Sequence, residues 1–175
     1  MRQVKIVSGC SGSGKSVLVG KLMLAYTDSL GLTLDEQMRL PKSDRRATAA
    51  LCSADLFFRN RENVYVFDAS KLSEAHGACF KEYIEAMQNR TEFICVDNTN
   101  TTSEEIAPYI LGAQAFGYEA EILTVIVEPT SENVVKLSDR NRHGVSPNTI
   151  AAQLERLASR RLPPWWKNTN VPVEW

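Results

Sequence analysis

In 175 residues no apolar run approaches the roughly 18 needed to cross a bilayer, so a membrane-spanning role is excluded. Net charge is also lacking: 20 basic residues face 21 acidic ones, for a formal charge of −1. Tight, non-specific binding along a nucleic-acid backbone needs dense positive charge and is not expected. Histidine is scarce, with only His76 and His143, and the four cysteines (Cys10, Cys52, Cys79, Cys95) form no C-x-x-C pair. That argues against a zinc site and reads as buried thiols in a reducing compartment. Internal repeats, low-complexity tracts and a signal-peptide pattern are missing too, so a cytoplasmic protein is the expectation.

What remains is ordinary globular composition, 43% hydrophobic and 23% charged. The length fits one domain over residues 1–175, large enough to hold a core without staples. The charge is unevenly placed. Residues 92–135 carry eight acids (Glu92, Asp97, Glu104, Glu105, Glu119, Glu121, Glu128, Glu132) and no Lys or Arg. Residues 136–167 carry seven bases (Lys136, Arg140, Arg142, Arg156, Arg160, Arg161, Lys167) against Asp139 and Glu155. A local cationic region is therefore available within a neutral whole.

Hydrophobic periodicity predicts strands at Val4–Ser8, Ala49–Ala54, Val64–Phe67, Phe93–Val96 and Glu121–Val127, with a short one near Val171–Val173. Between them it predicts helices over Ser16–Leu30, Lys71–Gln88, about Thr102–Phe116, Ser131–Leu137, and one opened by Ser146-Pro147. Thr33 and Glu36 have capping-box spacing for a further short helix. The apolar face of Lys71–Gln88 is read as Leu72, Ala75, Cys79, Tyr83 and Met87, widened by His76, Phe80 and Ile84. His76 is then a packed histidine. Trp165 and Trp166 are read as packing the C-terminal tail onto the core. Alternation of strands and helices predicts a three-layer α/β/α fold with a mainly parallel sheet of about five strands. Its ligand should lie outside the carboxyl ends of the strands.

One motif carries the chemistry. Gly9-Cys10-Ser11-Gly12-Ser13-Gly14-Lys15-Ser16 matches G-x-x-x-x-G-K-[ST] in full, between a predicted strand and a predicted helix. Glycines let backbone N–H groups turn inward around a phosphate, and the helix N-terminus adds partial positive charge. Lys15 should reach the β- and γ-phosphates, and the Ser16 hydroxyl should ligate Mg²⁺. With no Asn-Lys-x-Asp element of the guanine-reading type, ATP is the expected nucleotide. Magnesium also wants a carboxylate. Three apolar runs end in one, at Asp55, Asp68 and Asp97, and Phe93-Ile94-Cys95-Val96-Asp97 fits best. Phosphoryl transfer to a hydroxyl further needs a base and a cation over the moving group. Asp55 is the candidate base, and the Asp139–Gly144 stretch offers Arg140 and Arg142.

Taken in order, Gly9–Ser16, Ser53-Ala54-Asp55, Val96-Asp97-Asn98-Thr99-Asn100 and Arg140-Asn141-Arg142-His143-Gly144-Val145 resemble the P-loop kinases that act on polynucleotide 5′-hydroxyls. With Glu74-Ala75-His76 they are closer still to the ATP-binding, kinase-like domains of animal ubiquitin-ligase-binding proteins. The resemblance spans roughly residues 3–160. It implies a kinase-type P-loop fold with a helical lid at about 131–147, ATP and Mg²⁺ as cofactors, and RNA or DNA 5′ ends as possible partners. It names no protein partner. By position, Lys15, Asp55 and Arg140 would be catalytic, and Gly9–Ser16 with Arg140 would hold ATP. Ser16 and Asp97 would hold the metal, while Asp55, Asp97 and Asn98 would meet the acceptor. Two positions depart from the family pattern: Leu56 stands where a second acid is common, and Phe58 where an arginine holds the acceptor's phosphate. The acceptor therefore stays open between a polynucleotide 5′ end and a small molecule such as a nucleoside or sugar. An ATP-binding regulatory module without turnover is the remaining alternative.

Overall fold

In a computed structural model, residues 2–31, 33, 36, 49–60 and 62–175 are described. The strands are β1 (Gln3–Ser8), β2 (Ala49–Cys52), β3 (Phe93–Asp97), β4 (Glu119–Ile126) and β5 (Asn168–Pro172). The helices are α1 (Lys15–Ser29), α2 (Leu72–Gln88), α3 (Ser103–Ala115), α4 (Ser131–Arg140) and α5 (Pro147–Ser159). The strands form one sheet in the order β2-β3-β1-β4-β5, with every neighbouring pair parallel. The α/β prediction holds, and no described helix is long and apolar enough to cross a membrane.

The period-2 alternation of strand side chains sorts the core into two layers. Val4 and Ile6 of β1 and Ile94 and Val96 of β3 face Cys79, Tyr83, Ile106 and Ile110 of α2 and α3. Val7, Phe93 and Cys95 face the other way, onto Val19, Leu22 and Tyr26 of α1. A third cluster joins the loop after β1 to α4 and α5 through Cys10, Leu137, Ile150 and Leu154. All four cysteines are buried free thiols, and burial pushes each of them up in pKa. Helix starts follow their caps. Thr102 and Glu105 make a full capping box for α3, and Ser146 caps α5 with Pro147 in its first turn.

Several expectations change. Val64–Phe67 is not a strand. Asn60 accepts from the N–H groups of Glu62 and Val64, and Asn63 takes a positive φ of 62°. The chain thereby folds back, and among the described residues it forms a single isolated bridge, Arg59 to Tyr65. Short-range turn chemistry outweighs the apolar run. The Ala49–Ala54 strand stops at Cys52, because Ser53 caps a 3-10 turn over Ala54–Phe58. His76 is exposed rather than packed, lying off the buried Ala75–Cys79–Tyr83 stripe of α2. Asp68 caps a second short turn by accepting from the N–H and hydroxyl of Ser70. Of the tryptophan pair, Trp166 packs on the core while Trp165 stands 76% exposed. Thr33 and Glu36 exchange the expected capping hydrogen bonds, but most of 32–48, with Arg45 and Arg46, lies outside the described residues, as does Arg61.

Candidate active site

Parallel order brings three loop starts to the carboxyl end of the sheet: Gly9 after β1, Ser53 after β2 and Asn98 after β3. The register pairs Val7 with Asp97 and Cys52 with Val96, so these ends lie side by side. The Gly9–Gly14 loop depends on left-handed backbone at Gly12 (φ 79°) and Gly14 (φ 88°). At Gly12 a Cβ would also stand 2.2 Å from the Leu137 carbonyl oxygen, so only glycine lets α4 dock here. The Gly9 N–H donates to the Thr99 carbonyl at 2.9 Å, and the Ser11 N–H to Gln153 Oε1 at 2.8 Å.

Inside the loop Lys15 Nζ donates to the Cys10 carbonyl at 2.9 Å. Burial pulls its pKa down, against the raising pull of Asp97, Cys10 and Asp55. Ser16 Oγ donates to Asp97 Oδ2 at 2.8 Å. Burial pushes the Asp97 carboxyl up, opposed by Lys15 and by the Ser16 hydrogen bond. Ser13 is 2% exposed, and its Oγ is the buried side-chain polar atom left without a partner among the described residues. A buried, unpartnered hydroxyl within a phosphate-type loop is a donor awaiting an oxygen ligand. It fits a phosphate group. Ser16 and Asp97 offer adjacent oxygens of the kind Mg²⁺ takes alongside phosphate and water. No group of three or more His, Cys, Asp or Glu able to hold a metal exists among the described residues.

Asp55 stands in the 3-10 turn with its side chain 53% exposed. Tyr65 OH donates to its Oδ1 at 3.2 Å, and His143 Nε2 lies 3.7 Å from its Oδ2. Burial, with Asp55 next in weight, pushes the Tyr65 phenol up to about 12. His143 comes from the α4–α5 turn, where Asn141 Oδ1 accepts from the His143 N–H at 3.0 Å. Arg140, in the last turn of α4, lies 3.8 Å from where a Cβ on Gly14 would sit. Its Nη1 donates to the Glu174 carbonyl at 2.7 Å, and its guanidinium lies 5.7 Å from the Trp175 ring centre. Arg142 is exposed on the same turn.

The run Asn98-Thr99-Asn100 binds the site together rather than lining it. Asn98 is buried. Its Oδ1 accepts from the Ala54 N–H at 2.9 Å, and its Nδ2 donates to Tyr109 OH at 3.2 Å and to Cys79 Sγ at 3.4 Å. With Ser53 Oγ donating to the Asp97 carbonyl at 2.8 Å, this ties the Asp55 turn to the end of β3. Asn100 donates to the Val7 carbonyl, and Arg160 donates to Ser8 Oγ, the Asn100 carbonyl and Thr124 Oγ1.

The model of the AAA domain family matches residues 4–164, nearly the whole chain. The chain belongs to that family. The AAA domain here is 28% identical over 170 residues to human NEDD4-binding protein 2, which is 95% of this chain but only 8% of that relative. Two solved structures share the fold. One is the APS kinase CysC of Mycobacterium tuberculosis in complex with AMPPNP and APS, at 13% identity and a TM-score of 0.55, covering 98% of this chain and 88% of that one. The other is Kti12 of Chaetomium thermophilum in complex with ADP-AlF3, at 14% identity and a TM-score of 0.55, covering 98% and 89%. This AAA domain thus shares the fold of those two structures and carries a complete P-loop sequence at residues 9–16.

The arrangement brings together Lys15, Ser16 and Asp97, with Asp55 and Arg140 on either flank. Sequence reasoning missed Tyr65, Arg160 and the Glu174–Trp175 contacts of Arg140. A signal for the Asn98 brace is present in the sequence: a short polar residue just past the apolar run Phe93–Val96 is placed near the core, where its amide must find partners inside the protein.

Proposed function

We propose that this domain is an ATP-dependent phosphotransferase whose acceptor is the 5′-hydroxyl of RNA or DNA. Apart from the family match, the observation that carries the reading is the buried, unpartnered Ser13 hydroxyl in a complete P-loop beside an exposed carboxylate. The loop's N–H groups, Ser13 and Lys15 hold the phosphates. The recess lined by Ser13, Gly14, Val17, Arg140, Val171 and Pro172 takes the nucleoside part. Ser16 and Asp97 would hold Mg²⁺, which when bound offsets phosphate charge. Asp55 accepts the proton of the acceptor hydroxyl as its oxygen bonds to the γ-phosphorus. The bond from that phosphorus to the β,γ-bridging oxygen breaks, and ADP leaves. Asp55 then returns the proton to solvent.

Arg140 stabilises charge on the moving phosphoryl group. A guanidinium has five N–H donors, so one can stay on the Glu174 carbonyl while others meet phosphate. Residues 131–147 act as the lid, anchored by Leu137 against Cys10, and Asn98 positions Asp55 from behind. The balanced overall charge suits short or single-stranded ends in the cytoplasm. Labelled γ-phosphate appearing on 5′-hydroxyl oligonucleotides, and vanishing with Asp55→Asn, is the expected result. Hydrolysis alone, or label on no hydroxyl acceptor, would leave a nucleotide-binding domain without this activity.

A second reading, a small-molecule kinase, draws on Phe58. That position is 5% exposed and belongs to the core, so the acceptor phosphate has no arginine there.

A further inference from the structure

Around Asp55 the surface is aromatic. Tyr65 donates to Asp55, and the His143 ring lies on Tyr65 with centroids 4.5 Å apart and planes at 57°. Phe67 stacks alongside Tyr65 at 6.5 Å and 11°. Both rest on buried Phe58, at 6.1 and 5.0 Å. Phe67 is 51% exposed, an unusual position for a phenylalanine that merely fills a core. Val64 and Val66 of the same segment are exposed as well. The fold-back made by Asn60 and Asn63 therefore places rings beside the carboxylate, with Arg59 held to Asn63.

A flat ring presents its face to any nucleobase, and stacking of this kind tolerates all four bases. We propose that Tyr65, Phe67 and His143 form an acceptor wall that recognises the base of a nucleoside unit, whose 5′-hydroxyl is thereby delivered to Asp55. Specificity comes from the base and not from the 3′-phosphate. The wall rests on the reading of Asp55 as the base of a kinase and narrows its acceptor. Tyr65 has a second task as a positioning residue. By holding Oδ1 it leaves Oδ2, the oxygen nearer His143, to take the proton.

The test uses the full chain, ATP·Mg²⁺ and two sets of 5′-hydroxyl oligonucleotides, one with a normal 5′ nucleoside and one with an abasic 5′ residue. The abasic end should lose roughly 5- to 150-fold in kcat/KM, the range base–aromatic stacking supplies, chiefly through KM. Phe67→Ala and His143→Ala should shrink that preference, and a 3′-phosphate on the acceptor should change little. Tyr65→Phe should lower kcat more than it raises KM and shift the acid limb of the pH profile. Free nucleosides run alongside show whether the unit arrives alone or at a chain end, and base dependence in either set supports the wall. Equal use of base-bearing and abasic ends overturns the wall while the kinase reading stands. Where neither end accepts phosphate, the kinase reading fails, and fluorescence anisotropy of the same labelled oligonucleotides decides the wall. Tighter binding of the base-bearing end upholds it, and equal binding overturns it.

Discussion

Replacing Asn98 by alanine separates a brace from a substrate contact. The side chain is 8% exposed and makes three hydrogen bonds, to the Ala54 N–H, Tyr109 OH and Cys79 Sγ. Alanine leaves the buried Ala54 N–H without a partner, at about 1–3 kcal/mol. The lost amide volume and the weakened Tyr109–Cys79 contact add about 1 kcal/mol more. The sum, about 2–4 kcal/mol, lowers Tm by roughly 4–16 °C in a chain of this size. Thermal unfolding followed by circular dichroism reads it directly. Because the Ala54 link also fixes the Asp55 turn, kcat should fall while KM for the acceptor moves little. An unchanged Tm with a large rise in acceptor KM would refute the reasoning and return Asn98 to the substrate surface.

Three further outcomes follow from the geometry. Lys15→Met should cut transfer roughly 100- to 1,000-fold yet melt higher than the parent at neutral pH. Burial lowers the folded pKa of Lys15, so its charge costs stability below that lowered pKa. The cost fades as pH rises to the unfolded value of about 10.4, so the Tm difference should close there; a gap unchanged with pH would contradict the assignment. Gly12→Ala should abolish nucleotide binding in calorimetry, since φ is 79° and the new Cβ would meet the Leu137 carbonyl at 2.2 Å; parental affinity would show that α4 gives way freely. Arg140→Lys should lose most of kcat with little change in ATP affinity, because an ammonium cannot span two phosphate oxygens as a guanidinium does; full activity would remove Arg140 from the mechanism.

The β1–loop–α1 unit is legible because each level of the sequence agrees there: a buried strand, a glycine-defined loop, then a helix with Leu18, Leu22 and Tyr26 at four-residue spacing. The same holds for β3 ending in Asp97 and for the capping of α3 and α5. What escaped depends on contacts far apart in sequence. Val64–Phe67 is apolar enough for a strand, but two asparagines turn it back over Asp55, 10 residues before Tyr65. Arg140 reads from the sequence as a lid cation, whereas its tether to Glu174, 34 residues on, follows only from β5 lying at the sheet edge next to β4. His76 matched an apolar spacing, yet one step of helix rotation carries it to solvent.

The central claim is best tested by transfer of labelled γ-phosphate from ATP·Mg²⁺ to 5′-hydroxyl RNA and DNA oligonucleotides, with nucleosides alongside and Asp55→Asn as control. The account predicts labelled oligonucleotide with the parent chain and none with the variant. Label on no acceptor, or label that persists in Asp55→Asn, would contradict it.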